Sequence, residues 1–447
     1  MRIKTHLWIL LLLLAAPVAR AQRVQFDRDR LPQPVFHPYP GLVDFYWEAW
    51  QQAWTRAKAP SEETARAGDD ALAALVYKYA PRLFPAAETL DKFYLPVPGE
   101  SESSPRAGFL DGPPLLAWIE SEYYRFTGDE ARLQALLRDK KLLQRYFEYF
   151  NRAGDVDAPP GGQREQADPS RANLTSRQAL AALYISQLAE VINYREAAKE
   201  FRNHYQGLKA ILNKHYWDEA AGTYFVPRPG DPDRVLVKRP AAYRVMLAEV
   251  PSAKQARRMA DLARDTSVFG GLIPWPSASR DDPGFDANDG LPGRGAVCLP
   301  LAYVGIKALE RYGFLEEADE MAYNLLLHQY ATFMNHEPRA LWEYYNPSRP
   351  EPGKDARPDP RSGSALGPIS LFIENVLGFH RVDAQNRIVE WRKYHRGLHG
   401  IKNFSFGDVT ADIIGDDHVI QVETNEPFTL IVNGKSYRVR KGSNTLR

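Results

Sequence analysis

The 447-residue chain carries 57 basic and 56 acidic residues with no basic stripe, a balance that argues against nucleic acid and anionic membranes as partners. Its single cysteine, Cys298, excludes an internal disulfide, a cysteine-based zinc site and a dithiol redox centre, and reads as a small buried hydrophobe. A 44% hydrophobic content fits an ordered globular protein, and the length calls for two or three cores or one large toroid or barrel.

The N-terminus joins Arg2 and Lys4 to an apolar run from Leu7 to Ala16 and then Ala19-Arg20-Ala21, the three-part pattern of a secretory signal peptide cleaved after Ala21. A periplasmic or secreted location is therefore expected. No later stretch approaches the roughly 18 consecutive apolar residues of a membrane helix, so no membrane association is expected once the signal is removed.

From Gly41 to Phe379 apolar residues recur at helical spacing, as in Leu180, Tyr184, Leu188 and Val191. The pattern predicts helices over 42–57, 69–84, 113–127, 129–152, 173–193, 194–217, 239–250, 252–264, 299–313, 314–336 and 366–379. Connections as short as Thr127-Gly128-Asp129 and Tyr312-Gly313 make neighbours antiparallel, so a chain of helical hairpins is implied. Asn173 reads as a helix N-cap. The Pro-, Gly- and Asp-rich loops 95–112, 153–172, 265–298 and 338–365 are long enough to place a functional site at one end of the helical array. Beyond His380 the pattern alternates, most clearly around Asn433-Gly434, the strongest short-range hairpin signal. The chain thus divides into a helical part over 22–380 and a β-rich part over 381–447.

The most specific string is Leu341-Trp342-Glu343-Tyr344-Tyr345-Asn346-Pro347. A carboxylate between Trp342 and Tyr345 at the mouth of a helical array can be partly desolvated and held against a ring-shaped substrate, as acid–base catalysis requires. The residues by themselves equally allow a helix-end carboxylate among packing aromatics. Arg280 and Asp281, on the loop after Trp275, could hydrogen-bond sugar hydroxyls or simply pair at the surface. The acidic run 282–290 sets its glycine one residue early for a calcium loop, and the ten histidines form no HExxH pair, so neither metal nor cofactor is expected.

The segment Trp342 to Pro347, together with Gly270-Gly271-Leu272-Ile273-Pro274-Trp275-Pro276, Arg294-Gly295, Pro300, Tyr303 and Leu366-Gly367-Pro368-Ile369-Ser370, resembles the mannosylglycerate-hydrolase-like glycosidases, relatives of trehalases and processing α-glucosidases. The resemblance covers nearly all of Arg30 to Phe379, and the β tail is similar to that of bacterial members. It implies an all-α (α/α)6 toroid with a small β-rich appendage and an inverting mechanism, with two carboxyls roughly 6.5 to 9.5 Å apart. Glu343 matches the catalytic base. Asp155 and Asp157 stand near the general acid's position, within Gly154-Asp155-Val156-Asp157-Ala158-Pro159, which departs from the family's acid motif. Trp275, Arg294, Trp342 and Tyr345, with Arg280 and Asp281, are the residues expected at the sugar.

Two further family segments differ. Gly68-Asp69-Asp70 replaces a Trp-Asp pair, and Gly293 to Cys298 replaces a Trp-Arg-Gly-x-x-Trp segment. The resemblance therefore implies an inverting glycoside hydrolase acting on an α-linked sugar, or a sugar-binding relative that has lost its general acid. Either way the partner is a carbohydrate, and no sequence signal sets an oligomeric state. Lyase or cyclase chemistry on the same fold would need an acidic cluster, and Asp155-Val156-Asp157-Ala158 stops short of one.

Overall fold

The computed structural model describes residues 26–57, 69–94, 115–154, 169–224, 238–359 and 363–447. The signal-like segment and both candidate acids, Asp155 and Asp157, lie outside the described residues. The principal helices are α1 (Gly41–Ala57), α2 (Asp69–Tyr79), α3 (Leu116–Thr127), α4 (Leu142–Gly154), α5 (Pro169–Val191), α6 (Arg195–His215), α7 (Tyr243–Leu247), α8 (Ala253–Arg264), α9 (Leu299–Arg311), α10 (Leu315–Asn335) and α11 (Gly367–Val376). No helix among the described residues is long and apolar enough to cross a membrane.

Local chemistry sets the boundaries. Along α1, Leu42, Phe45, Tyr46, Ala49, Trp50, Ala53 and Trp54 form a single buried stripe at helical spacing. Gly128 ends α3 in the left-handed region at φ 65°, and the Asp129 carboxylate then accepts the Arg132 N–H at 2.9 Å to cap the next helix. Ser252 and Gln255 close a reciprocal capping box at the start of α8.

The structure corrects several expected elements. The stretch predicted as one helix over 69–84 is a 3₁₀ helix that ends at Tyr79, before Pro81, whose ring cannot continue a helical ladder. The predicted helix 129–152 is broken into Glu130–Gln134, a π turn at Ala135–Asp139 and α4, with Lys141 at φ 49° marking the break. The final helix, α11, is π-helical. Because α5 begins at Pro169, Asn173 lies inside the helix and is not its N-cap. Cys298 is half-buried just before α9.

Packing orders the helices into two layers. Among the described residues α2 packs on α3, α3 on α5, α5 on α7, α7 on α9, α9 on α11 and α11 on α2, which closes an inner ring. Around it α1 lies on α11, α4 and α6 on α5, and α10 on α9 and α11. Leaving the ring, α3, α5, α7 and α9 reach the next helix through short turns at 128–129, 192–194, 248–252 and 312–314. Long connections precede the ring helices, so their N-terminal ends share one loop-rich face.

The C-terminal part forms two sheets. One has the order β1-β6-β7-β8-β11 and the other β10-β9-β5-β4, where β1 is Gln33–Phe36, β4 Arg381–Asp383, β5 Ile388–Trp391, β6 His399–Phe406, β7 Val409–Gly415, β8 Ile420–Thr424, β9 Phe428–Val432, β10 Lys435–Val439 and β11 Gly442–Leu446. β2 (Trp217–Asp218) and β3 (Thr223–Tyr224) form a separate hairpin after α6. Asn433 (φ 48°) and Gly434 (φ 83°) make the two-residue turn between β9 and β10, both in the left-handed region as the sequence requires. The sequence pattern suggests no strand before Phe379, yet β1 pairs antiparallel with β6, Gln33 opposite Lys402 and Phe36 opposite His399. Trp391 stacks on Phe379 at 5.0 Å and donates its indole N–H to the Leu377 carbonyl at 2.7 Å, fastening the sheets to the end of α11.

Candidate active site at the ring mouth

The loops entering α9 and α11 interlace at the loop-rich face. Val297 and Tyr345 exchange backbone hydrogen bonds at 2.8 and 2.9 Å, Pro276 bridges to Val297, and Trp342 bridges to Pro358. On the other side the Glu343 N–H donates to the Arg357 carbonyl at 3.0 Å and the Asp359 N–H to the Leu341 carbonyl at 2.7 Å. The segment 341–346 is thus an extended strip bonded along both edges. Leu341, Trp342, Tyr345 and Asn346 are buried beneath it, while Glu343 and Tyr344 stay half-exposed.

A brace from below fixes this strip. The Tyr345 hydroxyl accepts both the Trp342 N–H and the Gln329 side-chain N–H at 3.1 Å, and burial pushes its phenol up to about 12. The Gln329 amide also donates to the Ser364 carbonyl at 3.1 Å, and the Ser364 hydroxyl donates to the Trp342 carbonyl. Gln329 fits only because position 367 is glycine: a Cβ there would lie 1.7 Å from its Oε1. The brace draws on α10 and the turn before α11, so its members are far apart in sequence.

Glu343 projects from this rigid strip with 21% of its side chain exposed, and its carboxylate pairs with Arg357 at 3.1 and 3.5 Å. The Arg357 side chain is itself 77% exposed. A pair with so solvated a partner contributes at most about 1 kcal/mol, so the carboxylate can exchange Arg357 for water or a hydroxyl at small cost. Backbone rigidity with a loosely held carboxylate suits an acid–base role.

The other aromatic and charged candidates serve the walls of the mouth. Trp275, at φ 65°, turns its ring into the core, edge-on to Tyr243 at 4.7 Å and stacked near Phe269 at 6.0 Å. It presses on α9 so closely that a Cβ at Gly305 would meet its ring at 2.6 Å. The Arg280 guanidinium donates to the carbonyls of Gly270, Ile273 and Pro347 at 3.0, 2.5 and 3.3 Å, clamping the two loops together. Asp281 pairs with Lys238. Arg294 pairs with Asp286 at 3.1 Å, closing the acidic loop on itself, and keeps 47% of its side chain exposed. The structure therefore gathers Glu343, Trp342 and Tyr345 in one strip, with Trp275, Arg280, Asp281 and Arg294 around it as supports.

A second polar cluster escaped sequence reasoning. On α5 and α7 the buried Arg177 and Arg244 converge on the Asn173 side-chain oxygen, at 3.5 and 3.0 Å. These groups stand at the N-terminal part of α5, which the segment carrying Asp155 and Asp157 leads into. The signal available in the sequence was Arg244 inside the otherwise apolar run 241–247, while Arg177 stands among Thr175, Ser176 and Gln178 and gave none.

With this geometry in view, the comparisons with known proteins are specific. A family model described as the mannosylglycerate hydrolase MGH1-like glycoside hydrolase domain matches residues 145–357. An uncharacterized protein of Borreliella burgdorferi is 26% identical over 322 residues, 68% of this chain and 67% of its own. The cytosolic neutral trehalase of Neurospora crassa is 30% identical over 146 residues, but this chain spans only 19% of that enzyme's length. The crystal structure of the mannosylglycerate hydrolase from Thermus thermophilus in complex with glucose superposes with a TM-score of 0.52 at 16% identity, over 73% of this chain and 99% of that one. At that identity the likeness shows a shared fold. Through residues 145–357, which hold the Trp342–Glu343–Tyr345 strip, the chain is similar to the mannosylglycerate hydrolase MGH1-like glycoside hydrolases.

Proposed function

We propose that this chain is an exported (α/α)6 toroid protein that hydrolyses an α-linked sugar with inversion, Glu343 activating the attacking water. The observation that carries this reading is the placement of Glu343, half-exposed on a strip bonded along both edges, with its carboxylate paired to exposed Arg357. The general acid is assigned by position to Asp157 or Asp155. The toroid extends over 22–380 and the β appendage over 381–447, with Gln22 as the first residue after cleavage of the signal segment.

The test is hydrolysis of α-glycosides, mannosylglycerate and trehalose among them, with the anomer released followed by proton NMR. Removing an acid–base group lowers a rate by a factor of about 100 to 10,000. Glu343→Gln should therefore abolish detectable turnover, while in the parent chain the sugar attacked by water is released in the β configuration. Parent-like turnover in Glu343→Gln would overturn the assignment.

A second reading is a sugar-binding relative without turnover. It is favoured by the inward-turned Trp275 ring and by the engagement of Arg280 with three backbone carbonyls, which leave fewer groups for a sugar. Saccharide binding with no release of reducing sugar across the same panel supports this reading, and any enzymatic release excludes it.

A further inference from the structure

At the opposite ends of the ring helices from the mouth, two adjoining hollows lie where the helical part meets the β sheets. A cavity of about 160 Å³ is lined by Pro81, Pro85, Glu120, Tyr124, Asp129 and Arg132, among others. An open groove of about 380 Å³ shares Pro81, Thr127 and Asp129 with it and continues along Arg82 to Ser405, Phe406 and Gly407 of the β6–β7 hairpin. The groove falls within the roughly 300 to 1,000 Å³ typical of small-molecule sites, which favour such junctions. The twelve residues of α3, about 18 Å at a rise of 1.5 Å per residue, separate it from the mouth.

The floor of the cavity is organised before any ligand arrives. The buried Glu120 carboxylate accepts Arg132 Nε and Nη2 at 2.8 and 2.7 Å and the Tyr94 hydroxyl at 2.9 Å, so the buried charge is fully paired. The Gly407 N–H donates to the Phe126 carbonyl at 2.8 Å and holds the hairpin wall in place. The rim is different. Among the described residues the Tyr124 hydroxyl and the exposed Arg82 guanidinium make no hydrogen bond, and Asp129 uses only Oδ1, to cap the helix after Gly128. One cation, one carboxylate and a phenol, beside the flat faces of Pro81, Pro85 and Tyr124, give hydrogen-bonding groups of both signs and apolar ring surface with no net charge.

That combination matches a neutral saccharide, whose rings alternate C–H faces with hydroxyl edges, and it disfavours an anion, which Asp129 would repel. We propose that this cavity and the adjoining groove together form a second saccharide-binding site, separate from the Glu343 mouth and able to hold an oligosaccharide while the mouth is occupied or empty.

The test uses the full mature chain carrying Glu343→Gln, so that turnover cannot consume the probe, titrated with maltotriose and with α-1,2-linked mannotriose by calorimetry and saturation-transfer NMR. Adding Arg82→Ala and Tyr124→Phe, whose side chains make no hydrogen bond among the described residues, should lower the affinity of one binding event at least about tenfold and leave the melting transition in place. Arg357→Ala, at the mouth, should leave that same event unchanged. Unaltered binding in the groove variant, a single event abolished by Arg357→Ala, or no binding of either probe would each overturn the proposal. Hydrolysis by the parent chain is scored separately, so failure here is distinguishable from failure of the Glu343 assignment.

Discussion

Replacing Tyr345 by Phe removes one oxygen atom and little volume, yet that oxygen is the acceptor for two buried donors, the Trp342 N–H and the Gln329 amide, each at 3.1 Å. Gln329 keeps its second acceptor, the Ser364 carbonyl at 3.1 Å, whereas among the described residues the Trp342 N–H has no other acceptor. The dominant cost is therefore one buried unsatisfied backbone donor, about 1 to 3 kcal/mol. Water cannot easily repair it, because Tyr345 is 1% exposed and Trp342 8%. Equilibrium urea unfolding of parent and Tyr345→Phe, compared at their midpoints with the slope held common, reads this loss directly. If the strip is braced as described, Gln329→Leu in the same background adds less than it does alone, because the two share one oxygen. A Tyr345→Phe loss below about 0.5 kcal/mol, or strict additivity with Gln329→Leu, would refute the brace.

Two further outcomes are expected. Burial pushes the His328 imidazole down to about 4 from an ordinary 6.5, so the unfolded chain binds its proton more readily. Stability from this group is full above pH 6.5 and declines as pH falls toward 4, and His328→Phe should flatten that part of a stability-versus-pH profile measured by denaturant titration. Gly305→Ala forces a methyl to within 2.6 Å of the buried Trp275 ring and should cost about 1 to 3 kcal/mol, seen as a lowered melting temperature. Parent-like melting would mean that the Trp275 ring does not press on α9.

Much of the helical ring was legible because helices announce themselves locally. Apolar spacing, the Gly128 stop and the Ser252 capping box all act within a few residues, and the observed α5, α6, α9 and α10 lie within a few residues of their expected bounds. The break at Lys140-Lys141 was not legible, since both residues are good helix formers and tertiary packing decides the point. Asn433-Gly434 marked its hairpin through its tolerance of positive φ, but β1 has no such marker. Its four residues include Pro34 and become a strand only because β6 supplies partners. The site divides the same way. Glu343 was visible as a motif, whereas the direction of the Trp275 ring follows from a positive φ that Pro274-Trp275-Pro276 does not announce, and the Gln329–Tyr345–Ser364 brace joins elements that only the fold brings together.

The pairing of Gln33–Phe36 with His399–Lys402 stitches the beginning of the folded chain to its end. During synthesis this strand emerges long before its partner exists, so an extended edge must wait, unpaired, while about 360 residues follow. A chain cut short after Phe379 would keep its helices but leave Phe36 without the His395 and His399 rings that now cover it at 5.0 and 6.4 Å, a ready surface for pairing with another molecule.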